Sequence, residues 1–162
     1  MKMNGTFMRG MRFAAVAAVA LLVAACAQTR PDNIANSTVA AGTAQDFVVN
    51  VGDRVFFTVD SSDLTAEARA TLDKQAQWLQ QYPRYSIRME GHADERGTRE
   101  YNIALGARRA TAARDYLVSR GVNASRIHVI SYGKERPVAV CNDASCWTQN
   151  RRAVTVVNNA GS

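Results

Sequence analysis

The sequence predicts an α+β fold, a two-layer βαβαββ sandwich in which two main helices cover one face of a mixed sheet. Two observations support this prediction. Two long segments carry apolar residues at helical spacing, and short runs rich in β-branched and aromatic residues precede and follow them. Because a helix between two strands favours a right-handed crossover, the strands that it joins are expected to be parallel, and the end strands complete the sheet.

The folded part is predicted to begin near Asp46. Residues 47–51 and 55–59 are rich in valine and phenylalanine, which favours a strand in each run. The first main helix follows; it begins at Asp63 or Thr65, since either side chain can cap it. The apolar residues on one face of this helix are Leu64, Ala68, Leu72, Ala76 and Leu79.

Pro83 ends this helix, and residues 85–90 alternate between apolar and polar side chains, as in a half-buried strand. A second helix is predicted from about Thr98 to Arg120, closed by Gly121.

The rest of the chain is predicted to contain two strands separated by a long loop. The strands are residues 127–132 and 153–157, and the loop is residues 133–150. The folded domain is therefore expected to occupy residues 46–162.

Residues 1–25 have the pattern of a secretory signal peptide. Basic residues precede an apolar run at 13–23, which is shorter than the ~20 residues that a membrane-spanning helix needs. Small residues then lead into Val-Ala-Ala and Cys26, which resembles a bacterial lipobox, where cleavage leaves a lipidated cysteine. An ordinary signal peptide followed by an incidental cysteine is the alternative.

Residues 26–45 are expected to be a lipidated cysteine followed by a flexible tether. The segment after Cys26 is polar and small, without a sustained apolar period. Ala27 and Gln28 follow the cysteine where an aspartate would suggest inner-membrane retention. By analogy with known lipoproteins, we expect an outer-membrane protein whose domain faces the periplasm.

The charge of the chain gives little support to nucleic-acid binding. The formal net charge is +6, and the region after residue 25 has 17 basic and 14 acidic residues. No Lys/Arg-rich segment with interleaved aromatic residues is present. A mildly basic domain without a nucleic-acid partner is therefore expected.

Two cysteines remain if Cys26 carries lipid. Cys141 and Cys146 are five positions apart in a polar segment, and a disulfide between them would contribute about 2 kcal/mol in the chain-entropy model. Two free thiols and a metal site are the alternatives. Zinc needs further ligands, and the two histidines, His92 and His128, are distant in sequence, so no metal or cofactor is expected.

The segment from Gly91 to Ala110 carries the main functional signal. It places the Asp94 carboxylate at a strand-to-helix turn and the Arg109 guanidinium on the helix that follows. That pair suits a ligand with both an ammonium and a carboxylate group. Alternatively, Asp94 caps the helix and Arg109 is a solvated surface charge. Arg151 or Arg152 could also pair with a carboxylate structurally.

Five segments in the same order resemble the OmpA-like peptidoglycan-binding domain family. They are residues 55–60, 90–98, 100–110, 131–137 and 150–154. The resemblance therefore covers the whole predicted domain, and it implies the OmpA-like sandwich. Three features depart from the family pattern: Thr58-Val59 in place of Gly-Phe, Gly106 in place of a frequent serine, and the late cysteine pair.

The resemblance implies noncovalent binding of peptidoglycan through meso-diaminopimelate in the stem peptides. The binding residues that it implies are Asp94, Arg109, Arg96, Thr98, Leu105 and Phe57. Asp94 would accept from the ligand ammonium, and Arg109 would donate two parallel N–H groups to its carboxylate. The family also implies partners of the Tol system such as TolB, and a link between outer membrane and cell wall during cell division.

Two other functions are alternatives to peptidoglycan binding. The run His92-Ala93-Asp94-Glu95 could suggest a cell-wall hydrolase, but the sequence has no nucleophile elbow and no clear set of three zinc ligands. A lipoprotein that docks other proteins and never contacts the wall is the remaining alternative. We expect a binding protein and not an enzyme.

Overall fold

The computed structural model describes residues 39–159. The expected signal peptide, Cys26 and most of the expected tether lie outside these residues. In chain order, the elements are α1 (Ala44–Asp46), a π-helix that continues it (Phe47–Gly52), β1 (Arg54–Phe56), α2 (Ala66–Gln81), β2 (Tyr85–His92), α3 (Arg99–Ser119), a 3₁₀ turn (Ala124–Arg126), β3 (Ile127–Gly133), α4 (Ala144–Asn150) and β4 (Arg152–Asn159).

The strands form one mixed sheet in the order β1–β4–β2–β3. β2 and β3 are parallel neighbours joined through α3, whereas β4 runs antiparallel to both β1 and β2. The α+β class and the mixed sheet that the sequence predicts are therefore confirmed.

The hydrophobic core lies between one face of this sheet and the helices α2 and α3. Alternate residues of a strand face the same side, and β2 buries Tyr85, Ile87 and Met89 on the helix side. The largest fully buried apolar side chains are Phe47, Leu72, Leu79, Ile87, Met89 and Leu117. As predicted, the two main helices share one face of the sheet.

Both main helices begin with a threonine cap. The Thr65 hydroxyl accepts from the Ala68 N–H, and the Thr98 hydroxyl accepts from the Tyr101 N–H, at 3.2 Å in each case. α3 is followed by Gly121 at a φ of 93°, a backbone conformation that favours glycine. The predicted helix boundaries are correct to within about two residues.

A close contact between two glycines fixes α3 on β2. A Cβ atom on Gly91 would overlap the backbone of Gly106, and a Cβ on Gly106 would crowd Gly91 in turn. The Ser131 hydroxyl, on β3, donates to the Ile103 carbonyl of α3 at 2.7 Å. α3 continues through Gly106 without a break, and the glycine contact places this part of the helix beside the end of β2.

The strand predicted at residues 47–51 is wrong. This run forms the π-helix, because Thr43 caps the preceding turn and the Asp46 carboxylate accepts from the Asn50 side chain at 2.8 Å. Phe47 is buried with its ring centroid 4.9 Å from that of Trp78. A tertiary anchor thus overrides the β propensity of the valines.

The start of the folded part also differs from the prediction. Gly42 is buried, and its carbonyl accepts from the Tyr85 hydroxyl at 2.9 Å, so residues placed in the tether belong to the domain.

Two more boundaries differ from those predicted. The strand predicted over residues 55–59 covers only Arg54–Phe56, because the chain then turns and its carbonyls bind a buried arginine. The predicted loop 133–150 contains α4, which Asp143 caps through the Ser145 N–H. Within residues 39–159, no helix is both long and apolar enough to cross a membrane.

Candidate functional site

Asp94 follows β2 and holds a largely buried carboxylate between two arginines. Its oxygens accept from the Arg96 guanidinium at 2.8 and 3.2 Å and from the Arg96 backbone N–H at 3.1 Å. On the other side, Arg151 Nη1 donates to Asp94 Oδ2 at 3.3 Å. Asp94 is therefore fixed in position by one side chain that is two residues away in the sequence and by another from the C-terminal part of the domain.

The Asp94 carboxylate stays ionised in this environment. Burial acts to raise its pKa, but hydrogen bonds from the Arg96 side chain and backbone, with the charge of Arg96 and a hydrogen bond from Arg151, outweigh burial. The pKa of Asp94 consequently lies below its usual value. At neutral pH Asp94 is therefore a carboxylate that already accepts four hydrogen bonds, three from Arg96 and one from Arg151.

Arg109 lies completely buried on α3. Its guanidinium donates to the carbonyls of Ser61, His92 and Thr58 at 2.8, 2.9 and 3.1 Å. Burial lowers the pKa of Arg109 to about 10, while the nearby charge of Asp94 acts in the opposite direction. The side chain remains charged at neutral pH and holds the 58–61 turn against the end of β2.

An open cleft of about 260 Å³ lies beside Asp94. Arg96 and Leu105 form part of its wall, and the other residues that line it are Val59, Asp60, Gly97, Tyr101 and Asn102. Asn102 shapes the rim, because its side-chain amide donates to the Arg96 carbonyl at 2.7 Å and to the Thr98 carbonyl at 3.1 Å. A carboxylate and a guanidinium therefore face one small cavity.

The structure brings only some of the predicted site residues to this cleft. Asp94, Arg96 and Leu105 line it, whereas Thr98 serves as the cap of α3. Phe57 lines a separate groove near β1, and its ring centroid lies 5.3 Å from the Arg109 guanidinium carbon. Arg109 itself sits behind the cleft and is not part of its lining.

Two alternative interpretations of the sequence are wrong. Asp94 does not cap α3, because the Thr98 side chain does so. Arg109 is not a solvated charge, since none of its surface is exposed, whereas its neighbour Arg108 is exposed. The possibility that Arg151 pairs with a carboxylate is confirmed by its contact with Asp94.

Sequence reasoning missed Trp147 and Asn102. The Trp147 ring lies 4.2 Å from the Arg96 guanidinium carbon, and its indole N–H donates to Glu95 at 2.9 Å. The position of Trp147 directly after Cys146 was the available signal, because a disulfide fixes the residues next to it. Cys141 and Cys146 do form a disulfide in the structure, with their Cα atoms 5.6 Å apart.

His92 is buried on the sheet face opposite the core. Within the described residues, neither ring nitrogen has a hydrogen-bond partner, and Nε2 lies 3.7 Å from a Glu90 oxygen. Burial, with the positive charges of Arg152 and Arg136, lowers the pKa of His92 to about 4. Among residues 39–159, no group of three His, Cys, Asp or Glu side chains could hold a metal ion.

The chain belongs to the OmpA family, whose model matches residues 56–153. It is 63% identical over 149 residues to a protein of Rhizobium meliloti (strain 1021) named peptidoglycan-associated lipoprotein, covering 88% of this chain and 85% of that protein. A protein of the same name from Mesorhizobium japonicum is 63% identical over 155 residues, covering 91% and 92%.

Solved structures agree with this assignment. The crystal structure of the peptidoglycan-associated lipoprotein from Burkholderia pseudomallei superposes with a TM-score of 0.68 at 38% identity, covering 72% of this chain and all of that one. The C-terminal domain of Helicobacter pylori MotB gives a TM-score of 0.63 at 22% identity, covering 67% and 86%, and shares the fold alone. The predicted resemblance to the OmpA-like family is thus confirmed.

Proposed function

We propose that this protein is an outer-membrane lipoprotein that binds peptidoglycan noncovalently through meso-diaminopimelate in the stem peptides. Membership of the OmpA family and similarity to proteins named peptidoglycan-associated lipoprotein support this proposal. We further propose that Cys26 carries the lipid, that the domain faces the periplasm, and that it works with Tol proteins such as TolB. The protein would then link the outer membrane to the wall during cell division.

One observation supports the binding chemistry above all others. A buried, ionised carboxylate, Asp94, opens onto a cleft on the scale of an amino acid. The free end of diaminopimelate carries an ammonium and a carboxylate on one carbon. In this proposal the ammonium displaces one of the four hydrogen bonds that Asp94 accepts in the structure and donates a charge-assisted hydrogen bond, which is stronger than a neutral one.

The proposed partner of the ligand carboxylate is Arg109. Three of its five N–H groups point to backbone carbonyls, which leaves two for a ligand. Because Arg109 is buried behind the 58–61 turn, the exposed corner at Val59 and Asp60 must shift to admit the carboxylate. Asp60 already has a φ of 54°, a conformation that non-glycine residues rarely adopt, and we place the movement at this residue.

The proposal predicts selectivity among cell walls. A lysine stem residue has the ammonium but lacks the second carboxylate, so a buried guanidinium would be left without its partner. Removing one member of a desolvated charge pair costs roughly 2–5 kcal/mol. Arg96, Thr98, Leu105 and Phe57 take supporting roles: Arg96 and Leu105 as cleft wall, Thr98 and Phe57 as residues that hold the site in shape.

Cosedimentation with purified sacculi tests this function. The parent protein is expected to pellet with sacculi that contain diaminopimelate and to remain mostly soluble with lysine-type sacculi. Asp94→Ala should lose the pellet fraction, while Asp115→Ala, which removes an exposed carboxylate on α3, should pellet like the parent. Equal sedimentation of Asp94→Ala and the parent would contradict the assigned cleft.

The same assay separates the alternative functions. A docking lipoprotein that never contacts the wall would leave the parent protein in the supernatant. A hydrolase would release soluble muropeptides, and our proposal expects none above the level of a protein-free control. Lipidation has its own test: metabolic labelling with radioactive palmitate should mark the parent protein and leave Cys26→Ala unlabelled.

A further inference from the structure

The Arg96 guanidinium is half exposed, yet it is one of the two groups that orient Asp94. An exposed arginine usually samples many rotamers, and exposed ion pairs contribute little because ordering them costs side-chain entropy. A defined Asp94–Arg96 geometry therefore requires that something else restrains Arg96.

Trp147 supplies that restraint. Its ring lies 4.2 Å from the guanidinium carbon, a distance typical of a cation–π stack. The indole N–H donates to Glu95 at 2.9 Å, so Trp147 holds two successive residues of the loop. The Arg96 guanidinium thus contacts both the Asp94 carboxylate and the indole.

The position of Trp147 depends on residues 141–151, a segment that we call the clasp. Its helix α4 has only 7 residues, which is too short to be stable by itself in water. The Cys141–Cys146 disulfide links the first turn of α4 to the loop before it. Buried Asn150 anchors the end of the helix by accepting from the Val138 N–H at 2.8 Å. The next residue, Arg151, donates to Asp94.

We propose that Trp147 is a positioning residue of the ligand cleft, and that the disulfide-closed clasp holds it on Arg96 so that Asp94 is oriented for the ligand ammonium. The proposal rests on the diaminopimelate function above. The clasp reaches the same carboxylate by two routes, through Trp147 and Arg96 and directly through Arg151. In this proposal the disulfide supports ligand binding from outside the cleft, since neither sulfur lines the cleft.

Calorimetric titration with the tripeptide L-Ala–D-Glu–meso-diaminopimelate tests this inference. Trp147→Ala is expected to weaken binding by about three- to tenfold, on the scale of one cation–π contact. Trp147→Phe keeps a ring over Arg96 and should stay within about twofold of the parent. The double variant Cys141→Ser/Cys146→Ser should weaken binding in the same direction, while the control Asn142→Ala, exposed between the cysteines, should not.

The outcomes separate this inference from the proposed function. Absence of binding by the parent, or parental affinity in Asp94→Ala, would overturn the diaminopimelate site itself. Loss of binding in Asp94→Ala with parental affinity in Trp147→Ala would overturn the role of Trp147 alone. A weakened Trp147→Ala beside an unaffected double serine variant would overturn the part assigned to the disulfide.

A ligand-independent measurement checks positioning directly. The indole ring current should shift the Arg96 Nε–H resonance upfield in the parent, and the shift should vanish in Trp147→Ala. It should be reduced in the double serine variant and largely retained in Trp147→Phe. An Arg96 resonance that is the same in all four proteins would contradict the proposal, whatever their stability.

Discussion

Asp94 is held by two regions of very different construction. On one side, β2 and α3 form a rigid scaffold, in which Gly91 packs on Gly106 and Arg109 binds three backbone carbonyls. On the other side, the clasp is a short surface segment fixed by a disulfide, a cap and one anchoring asparagine. The scaffold is stabilised by packing in the hydrophobic core, whereas the clasp is stabilised by the disulfide and by hydrogen bonds between residues close in sequence.

Because the two regions are built differently, we expect effects on stability and effects on affinity to separate between them. Changes in the scaffold should destabilise the whole domain, because buried groups lose their partners there. Changes in the clasp should affect the cleft with a smaller effect on global unfolding.

Arg109→Leu should produce the largest loss of stability. It removes the donors to the carbonyls of Thr58, Ser61 and His92, and the free energy of unfolding should fall by about 3–5 kcal/mol. Urea denaturation measures this change. The adjacent exposed Arg108→Leu is the matched control and should shift stability by less than about 0.5 kcal/mol. Equal effects of the two variants would show that Arg109 has no special structural role.

His92 should make the scaffold sensitive to acid. Its pKa is about 4 in the folded protein, below the value of about 6.5 for an unfolded chain, so its contribution to stability is complete above pH 6.5. That contribution is lost as pH falls from 6.5 through 4, at a cost of about 2–3 kcal/mol.

Urea titrations across this pH range measure the effect of His92. His92→Gln should flatten the pH dependence, whereas His128→Gln, at an exposed position on β3, should leave it unchanged. A parental pH slope in His92→Gln would show that another group is responsible.

The Cys141→Ser/Cys146→Ser variant should lower the free energy of local opening of α4 by about 2 kcal/mol, the value expected for closing a small loop. The loss should be localised: amide hydrogen exchange in α4 should become faster, while exchange in β2 and α3 should change little. Uniform acceleration across all three elements would show that the clasp and the scaffold unfold as one unit.

Thr98→Ala should have the smallest effect on stability, about 1 kcal/mol, because it removes the α3 cap. It also separates two roles for this residue. A cap that does not line the cleft predicts little change in tripeptide affinity, so a large loss of affinity with unchanged stability would make Thr98 a ligand contact. Thr65→Ala, which removes the α2 cap, is the control.

The sequence predicted the scaffold well and the clasp poorly. The caps at Thr65 and Thr98 and the alternation in β2 are local signals, and these elements lie within about two residues of their predicted bounds. The valines at 48–51 gave an equally local signal that failed, because Asp46 and Phe47 bind Trp78 in the distant helix α2. Tertiary contacts of this kind cannot be seen in a short window of sequence.

The site shows the same limit. Sequence motifs indicated Asp94, Arg96 and Leu105, and all three line the cleft. The same motifs could not show that Arg109 is buried and donates to carbonyls of the 58–61 turn, because those carbonyls are about 50 positions away in the sequence. Trp147 was missed because α4 is too short to leave a periodic pattern. The cysteine spacing indicates a closed loop next to Trp147 but does not indicate which residue the indole contacts.

An NMR titration of the domain with two stem tripeptides tests the central claim most directly. With the meso-diaminopimelate peptide, the account predicts saturable shifts of the amides at Asp94, Gly97, Tyr101 and Leu105, and much weaker binding of the peptide that carries lysine instead. Equal affinity for the two peptides, or shifts centred away from this cleft, would contradict it.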